Sequence, residues 1–338
     1  MTLLGELGAR GPVVAAPMAG GPTTPGLVLA AASAGCLGFL AGGYLTAEAL
    51  AAQVAEVAGT TDRYGVNLFA PHPVPVGPGA YAAYRDRLAP EAERYAVDLP
   101  AVPVEDDDHW RAKVDVLVER PVPVVSFTFG LPDATSLGAL RRAGSVVLQT
   151  VTSADEARLA VDAGVDGLVA QGSAAGGHSG VFDATRVPPE RPLADLVAEV
   201  RAAVDLPLLA AGGVASADDV RGALAAGAEG VAVGTLLLLA DEAGTSAAHR
   251  AGLADHTRST AVMRAFTGRP ARGLRNRFAE VHDAHAPVGY PALHHLTRPI
   301  RRAAADAGDP EVVNLWAGTG VAHARRAPAA EILAGLAP

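Results

Sequence analysis

The stretch Gln171–Gly180, QGSAAGGHSG, sets one imidazole, His178, among four glycines. Such small neighbours let a large, flat ligand approach the main chain, and the imidazole is the one group there able to move a proton. Its ordinary pKa of about 6.5 suits proton abstraction at neutral pH. The plainer alternative is an imidazole bonded to a carbonyl for structural reasons, and the glycine-rich surroundings speak against it. Two other stretches, AGGV (Ala211–Val214) and VGT (Val233–Thr235), have a different use. Gly212, Gly213 and Gly234 let backbone N–H groups close on a phosphate, and Thr235 adds a hydroxyl. Gln171 and Asn67 carry amides that can donate and accept at ring edges, and Met18 in PMAGG (Pro17–Gly21) can pack on a ring face. One phosphate, one extended polar chain and one flat heterocycle describe flavin mononucleotide (FMN), with His178 beside it where a substrate lands.

The elements that must position these groups are short apolar runs alternating with alanine-rich stretches. PVVAA (from Pro12), CLGFLA, RYGVNLF, PVPVVSFTFG, SVVLQTV, VDGLVAQG, DLPLLAAGG and EGVAVGT read as eight strands. Helices are expected between them: one with Pro25 in its first turn and Gly35 as C-cap, and others opened by Thr46, Ser153 and Ser216 as N-caps. Two units nearly repeat, SADEARLAVDAGVDGLV and SADDVRGALAAGAEGVAV, which favours a parallel sheet. The fold class expected is α/β, a (β/α)8 TIM barrel over residues 1–238. A small, mainly helical added domain or lid is expected over 239–302, and residues 303–338 are expected to return as the last barrel helix. A doubly wound open sheet would need a G-x-G-x-x-G fingerprint after its first strand, and Ala15–Gly21 lacks one. In a barrel of this kind every singled-out stretch falls after a strand's C-terminal end, and the loops after strands seven and eight are the usual phosphate site.

Two regions break the rhythm. Ala70–Val104 reads as a long excursion, and EDDDHW at its end reads as carboxylates favouring the start of the next helix rather than as a metal site. His282, His285, His294 and His295 have zinc-like spacing, but the segment is broken by prolines, so they read as solvated or facing a substrate, with His295 a candidate for the substrate pocket. No metal site is expected. The net charge of −9 and the lack of basic runs disfavour nucleic acid and polybasic membrane anchoring. Cys36 is the only cysteine, so no internal disulfide forms; with no signal-peptide pattern at the N-terminus and an early apolar stretch broken by prolines, a soluble, cytoplasmic protein is expected. The sequence leaves monomer or homo-oligomer open.

Five segments in order, APMAGGPTTPGLVLAAASAGCLGFLAGGY, YGVNLF, VVSFTFGLP, QGSAAGGHSG and RAFTGRPARGLRNRF, together resemble the nitronate monooxygenases, once called 2-nitropropane dioxygenases. The likeness runs from about Val13 to Trp316. It implies an FMN-dependent barrel that oxidises alkyl nitronates with dioxygen to a carbonyl compound and nitrite. It also implies flavin contacts from Pro17, Met18, Ala19, Asn67, Gln171, Gly176, Gly213 and Ala232–Thr235 (Ala232, Val233, Gly234, Thr235), a catalytic base in His178, and a pocket residue in Ser126. The chain departs from the family pattern at Ala174, usually acidic, and Ser179, usually arginine, so the histidine loop is expected to be less braced and the substrate choice altered. Two other readings remain: an FMN-dependent NAD(P)H oxidoreductase acting on enoyl-thioesters or quinones on the same scaffold, and a flavin-free barrel lyase or isomerase. The only lysine, Lys113, lies on an expected helix before strand four, which argues against Schiff-base chemistry.

Overall fold

The computed structural model describes residues 2–338. Eight parallel strands close into a barrel in sequence order: β1 (Val13–Ala15), β2 (Leu37–Ala41), β3 (Tyr64–Phe69), β4 (Val124–Thr128), β5 (Val146–Val151), β6 (Gly167–Gln171), β7 (Leu208–Ala211) and β8 (Gly230–Val233). The ring closes where Val13 pairs with Val231 and Ala15 with Val233. Strands in this position are covered on both faces, which is why they read as continuous apolar runs. All eight coincide with the runs read from the sequence.

The intervening helices start where side-chain oxygens can take the first free N–H groups. Thr46 accepts from Ala49, Ser153 from Glu156 and Ser216 from Asp219. Pro25 opens the first of them, Pro25–Ser33, and the chain leaves it through Ala34, with Gly35 next at φ +83°. A helix not read from the sequence, Leu3–Glu6, plugs the bottom of the barrel. Its Leu3 and Leu4 pack with Leu37, Phe39, Val124, Leu148 and Leu209, and Leu3 N–H donates to Glu229 Oε2 at 2.9 Å.

A second hydrophobic core caps the opposite end. Two stretches distant in sequence build it. The excursion after β3 contributes helices Pro78–Arg87 and Ala89–Arg94; the segment after residue 239 contributes helices Ala247–Ala254, Arg277–His282 and Ala292–Asp306. Tyr81, Tyr84, Phe266, Phe278, Leu296 and Ile300 meet there. Tyr84 Oη donates to Ala265 O at 2.6 Å, and Arg277 Nη2 donates to Glu91 Oε2 at 2.8 Å.

The segment after residue 239 is not helical throughout. Strands Thr260–Met263 and Ala271–Leu274 pair antiparallel, and the second also pairs with Gly177–His178 from the loop after β6. The final stretch also differs from the single helix expected. Leu315 and Ala317 join the cap, Thr319–His323 is a 3-10 helix, and only Ala329–Ala334 returns as a helix against Pro25–Ser33.

The acidic run before helix Trp110–Glu119 lies outside its first turn, so the expected dipole role does not hold. Asp108 instead pairs with the buried Lys113 at 2.8 Å and accepts the Tyr44 N–H at 2.9 Å. Among the described residues, no group of three or more histidines, cysteines or carboxylates is placed to hold a metal. None of the described helices is long and apolar enough to cross a membrane.

Candidate active site

Between the C-terminal rim of the barrel and the cap lies a cavity of about 780 Å³, the usual position for a site in this architecture. The cap closes one side with the 177–178 strand and with Thr267, His294 and Trp316; the rim supplies the other side. Pro17, Met18 and Ala19 line it from the loop after β1, Asn67 and Ser126 from the ends of β3 and β4, and Gln171, Gly176 and His178 from β6 and its loop. Gly212 and Gly213 after β7, and Ala232, Val233, Gly234 and Thr235 at the end of β8, complete the rim. Among the residues expected as flavin contacts, base or substrate pocket, His295 is the one that does not line this cavity. It lines a smaller neighbouring cavity of about 90 Å³ and sets Nε2 2.7 Å from Asp106 Oδ2. His294, one position earlier, faces the main cavity and stacks on Tyr44 at 4.3 Å between centroids.

Each rim loop is held from within. Met18 N–H donates to Thr23 Oγ1 at 2.8 Å, fixing the loop after β1. Asn67 Nδ2 lies 2.9 Å from Ser126 Oγ and 3.1 Å from Thr128 Oγ1, which leaves Oδ1 as its free acceptor. Gln171 spans the histidine loop: Nε2 donates to His178 O at 3.2 Å and Oε1 accepts from Gly180 N–H at 2.6 Å. Both ends of that amide are therefore engaged by the protein itself. At the far rim, Thr235 Oγ1 accepts from Gly318 N–H at 2.9 Å and keeps its own proton to donate. Gly213 has φ +78°, and a Cβ there would lie 2.9 Å from that of Ala174, so only glycine fits.

His178 extends the cap's small sheet by pairing with Ala271. Its Nε2 lies 2.9 Å from Thr267 Oγ1, and Nδ1 has no hydrogen-bond partner among the described residues. Phe129, Tyr290 and Trp316 surround the ring with centroids 5.5, 5.8 and 5.5 Å away. Burial pushes its pKa down to about 3, with Arg269 and Arg301 adding to the effect. The ring is therefore neutral at pH 7.

Those two cations are unusual. Arg269 is 0% exposed and lies over the Phe129 ring at 4.0 Å. Its Nη2 donates to the Val181 carbonyl, while Nε and Nη1 have no partner. Arg301 donates from Nε to Thr297 Oγ1 at 3.0 Å and from Nη1 to Asn314 Oδ1 at 2.9 Å. Burial lowers both pKa values to about 10, so both stay charged at pH 7. Neither forms an ion pair with a carboxylate among the described residues. A cavity flanked by such charges attracts an anion.

The chain matches the nitronate monooxygenase family over residues 2–338. It is 33% identical over 321 residues to a probable nitronate monooxygenase of Staphylococcus saprophyticus, covering 93% of this chain and 90% of the relative. This chain belongs to the nitronate monooxygenase family. It is an oxidoreductase. Among solved structures it superposes on nitroalkane oxidase from Streptomyces ansochromogenes with TM-score 0.93 and 43% identity, covering 98% of this chain and 96% of that one. FabK from Thermotoga maritima follows with TM-score 0.75 and 26% identity, covering 99% and 94%.

Within this family member the histidine loop keeps a brace despite Ala174 and Ser179. Arg272 Nε donates to Ser173 O at 2.7 Å, its Nη2 pairs with Glu190 at 3.0 Å, and Ser179 N–H donates to Pro270 O at 2.8 Å. A Cβ on Gly176 would lie 2.5 Å from Gly318 N, so the C-terminal chain crosses close to Gly176, which also lines the cavity; Gly177, at φ +78°, has nothing within 4 Å of that position.

The sequence reading missed the site residues Tyr44, Phe129, His249, Thr267, Arg301 and Trp316, supplied by the cap and its neighbours, while His294 was among the histidines read as solvated or facing a substrate. The glycine pair around Thr319 was the one legible signal near them, since Gly318 meets both Thr235 and Gly176.

Proposed function

We propose that this enzyme oxidises alkyl nitronates with dioxygen, giving a carbonyl compound and nitrite, with FMN as cofactor, and that it acts on neutral nitroalkanes once His178 has removed the α-proton. The observation that carries this reading is a neutral imidazole, free at one nitrogen, facing a cavity whose nearby buried charges are cations without carboxylate partners. That setting suits a carbon acid that becomes an anion.

The residues present fit FMN. Gly212, Gly213, Gly234 and Thr235 would hold the phosphate through backbone N–H groups and the free Thr235 proton. Pro17, Met18 and Ala19 would lie against the ring system, and Asn67 Oδ1 would accept from a ring N–H. Gln171 acts mainly by holding His178. Bound there, FMN supplies the electron acceptor that turns over with dioxygen.

The chain's own part is binding and proton transfer. With its proton on Nε2, His178 donates to Thr267 Oγ1, and the Nδ1 lone pair is left for the substrate's α-proton. An imidazolium with so low a pKa would be unstable alone. It forms beside the nitronate whose proton it took, so the two charges compensate. Arg301 and Arg269 stabilise the nitronate side of the same step. A preformed nitronate needs no base and binds the same positive field.

The test is a visible spectrum of the purified protein, then anaerobic titration with propyl nitronate and with NADH, for the parent and for His178→Ala. Expected are a flavin spectrum, bleaching by the nitronate, retained flavin in the variant, and a loss of activity on neutral nitroalkanes larger than that on nitronates. Equal activity of variant and parent on the neutral substrate removes His178 from the role. Bleaching by NADH but not by nitronate replaces the reading with an NAD(P)H oxidoreductase, and a colourless protein replaces it with a flavin-free lyase or isomerase.

A further inference from the structure

Helix Ala292–Asp306 brings three arginines to the main cavity: Arg298, Arg301 and Arg302 line it together. Their spacing of three and four residues puts them on one helix face. They carry all the formal charge of the lining at pH 7. No aspartate, glutamate or lysine lines the cavity, and burial keeps its histidines, His178, His249 and His294, neutral. The chain as a whole carries −9, so this row runs against the protein's own charge.

The row is graded by depth. Arg301 is half-buried and spends its guanidinium on Thr297 Oγ1, Asn314 Oδ1 and His294 O. Arg298 and Arg302 are exposed and still line the cavity, so they stand at its open edge. Neither forms a side-chain hydrogen bond or an ion pair among the described residues. Arg298 also lines the small neighbouring cavity, but there Asp106 is taken by His295 and Asp108 by Lys113. Like charges three and four apart weaken a helix, and no contact within the fold offsets these two. Their donors are free for what enters. A cleft lined by one sign of charge between low-dielectric walls concentrates ions of the other sign by about tenfold or more.

We propose that Arg298 and Arg302 are specificity-determining residues at the cavity entrance: they concentrate small anions ahead of the reaction site and so select a nitronate over its neutral nitroalkane by charge. This selection precedes, and is separate from, the proton transfer at His178. That the selected anion is a nitronate rests on the function proposed above; the positive entrance does not. A large polyanion is the poorer partner, because a chain of −9 repels it before it reaches the row.

Two measurements test this, and the first needs no turnover. In flavin-stripped protein the cavity-lining Trp316 is quenched by iodide, an anion, and by acrylamide, which is neutral; Trp110→Phe removes the only other tryptophan. Replacing both arginines, Arg298→Gln with Arg302→Gln, should lower the iodide constant relative to the acrylamide constant by about threefold, and Arg298→Lys with Arg302→Lys should restore it. The second measurement is kcat/KM for ethyl nitronate and for nitroethane in 0.01 M and 0.1 M salt, between which the Debye length shrinks from about 30 Å to about 10 Å. In the parent the nitronate-to-nitroethane ratio should fall about threefold with salt; in the double glutamine variant it should start about tenfold lower and lose that slope. An iodide-to-acrylamide ratio equal in parent and variant overturns the proposal, and so does a parent kinetic ratio that is flat with salt. Weaker FMN binding in the variant with the salt slope intact also overturns it, and assigns the arginines to the cofactor phosphate. Iodide quenching that falls as expected in a protein that does not oxidise nitronates leaves the anion entrance standing and sinks the nitronate reading instead. Should Trp110→Phe fail to fold, the difference between the parent and Trp316→Phe gives the same constants; should the double glutamine variant fail, the parent's salt slope decides.

Discussion

Thr267→Val keeps the side-chain shape and removes the hydroxyl 2.9 Å from His178 Nε2. Thr267 is 1% exposed, so water does not replace the lost group. A buried N–H left without an acceptor costs about 1–3 kcal/mol. The hydroxyl's other contacts, to Arg269 O at 3.4 Å and from Arg269 N–H at 3.5 Å, are too long to add much. In the proposed reaction the whole cost falls on proton abstraction, because only the Nε2-protonated ring presents Nδ1 to the substrate. At about 1.4 kcal/mol per tenfold, kcat/KM on a neutral nitroalkane falls by about 5-fold to about 150-fold. Preformed nitronates skip that step, so their kcat/KM stays within about twofold of the parent. The assay is oxygen uptake with nitroethane and with its nitronate at pH 7, repeated with nitroethane deuterated at the reacting carbon. The variant should show an isotope effect at least as large as the parent's, since proton transfer becomes more limiting. An equal loss on both substrates, or none on the neutral one, refutes the assignment of Thr267 to holding the base.

Acid should destabilise the ligand-free protein in a definite window. Unfolded imidazoles take a proton at about 6.5, whereas folded His178 and His249 stay neutral down to about 3 and about 4. The unfolded chain thus binds more protons between those limits, and stability must fall as pH drops from about 6.5 to about 4. Thermal melts should show this slope, reduced in His249→Gln; a parent melting temperature that is flat over the range contradicts the burial of these rings. The two adjacent loop glycines should separate in chemical denaturation. Gly177→Ala meets open space but an unfavourable φ, costing about 1–2 kcal/mol; Gly176→Ala drives a methyl into the 317–318 backbone and should cost clearly more, with loss of activity. Equal costs would mean the C-terminal chain does not cross there.

The barrel was legible because each of its units is local. An apolar run, a turn and a capped helix sit within about 30 residues of each other, and Thr46, Ser153 and Ser216 mark their helix starts with hydroxyls that accept the N–H groups expected of them. The cap was less legible because its core joins Tyr81 and Tyr84 to Phe266, Phe278 and Ile300, a pairing that no local pattern announces. Its helix Ala292–Asp306 shows the difficulty in one place. Pro291 before it and Pro299 within it read as breaks, so the phase of its apolar stripe was not used. With that phase, Leu293, Leu296 and Ile300 point into the cap core and His294 toward the cavity, while His295 turns to Asp106. Likewise Gly176 announces a close approach in the sequence, but what approaches it is the backbone at Gly318, which only the folded chain reveals.

The charge pattern connects the two halves. The chain is acidic overall, at −9, yet Arg301 on the cavity wall and the buried Arg269 beside His178 have no carboxylate partners. An unpaired buried guanidinium is destabilising for the fold, so the cap's large apolar core must offset it. The same cations that weaken His178 as a base favour any anion formed beside it, and the two effects act on opposite sides of one proton transfer. For a neutral nitroalkane they partly cancel. For a nitronate, already charged, only the attraction remains. On the proposed reading, such an enzyme should prefer the anion over its conjugate acid even when His178 is intact, with the proposed base extending the range of substrates rather than making turnover possible at all.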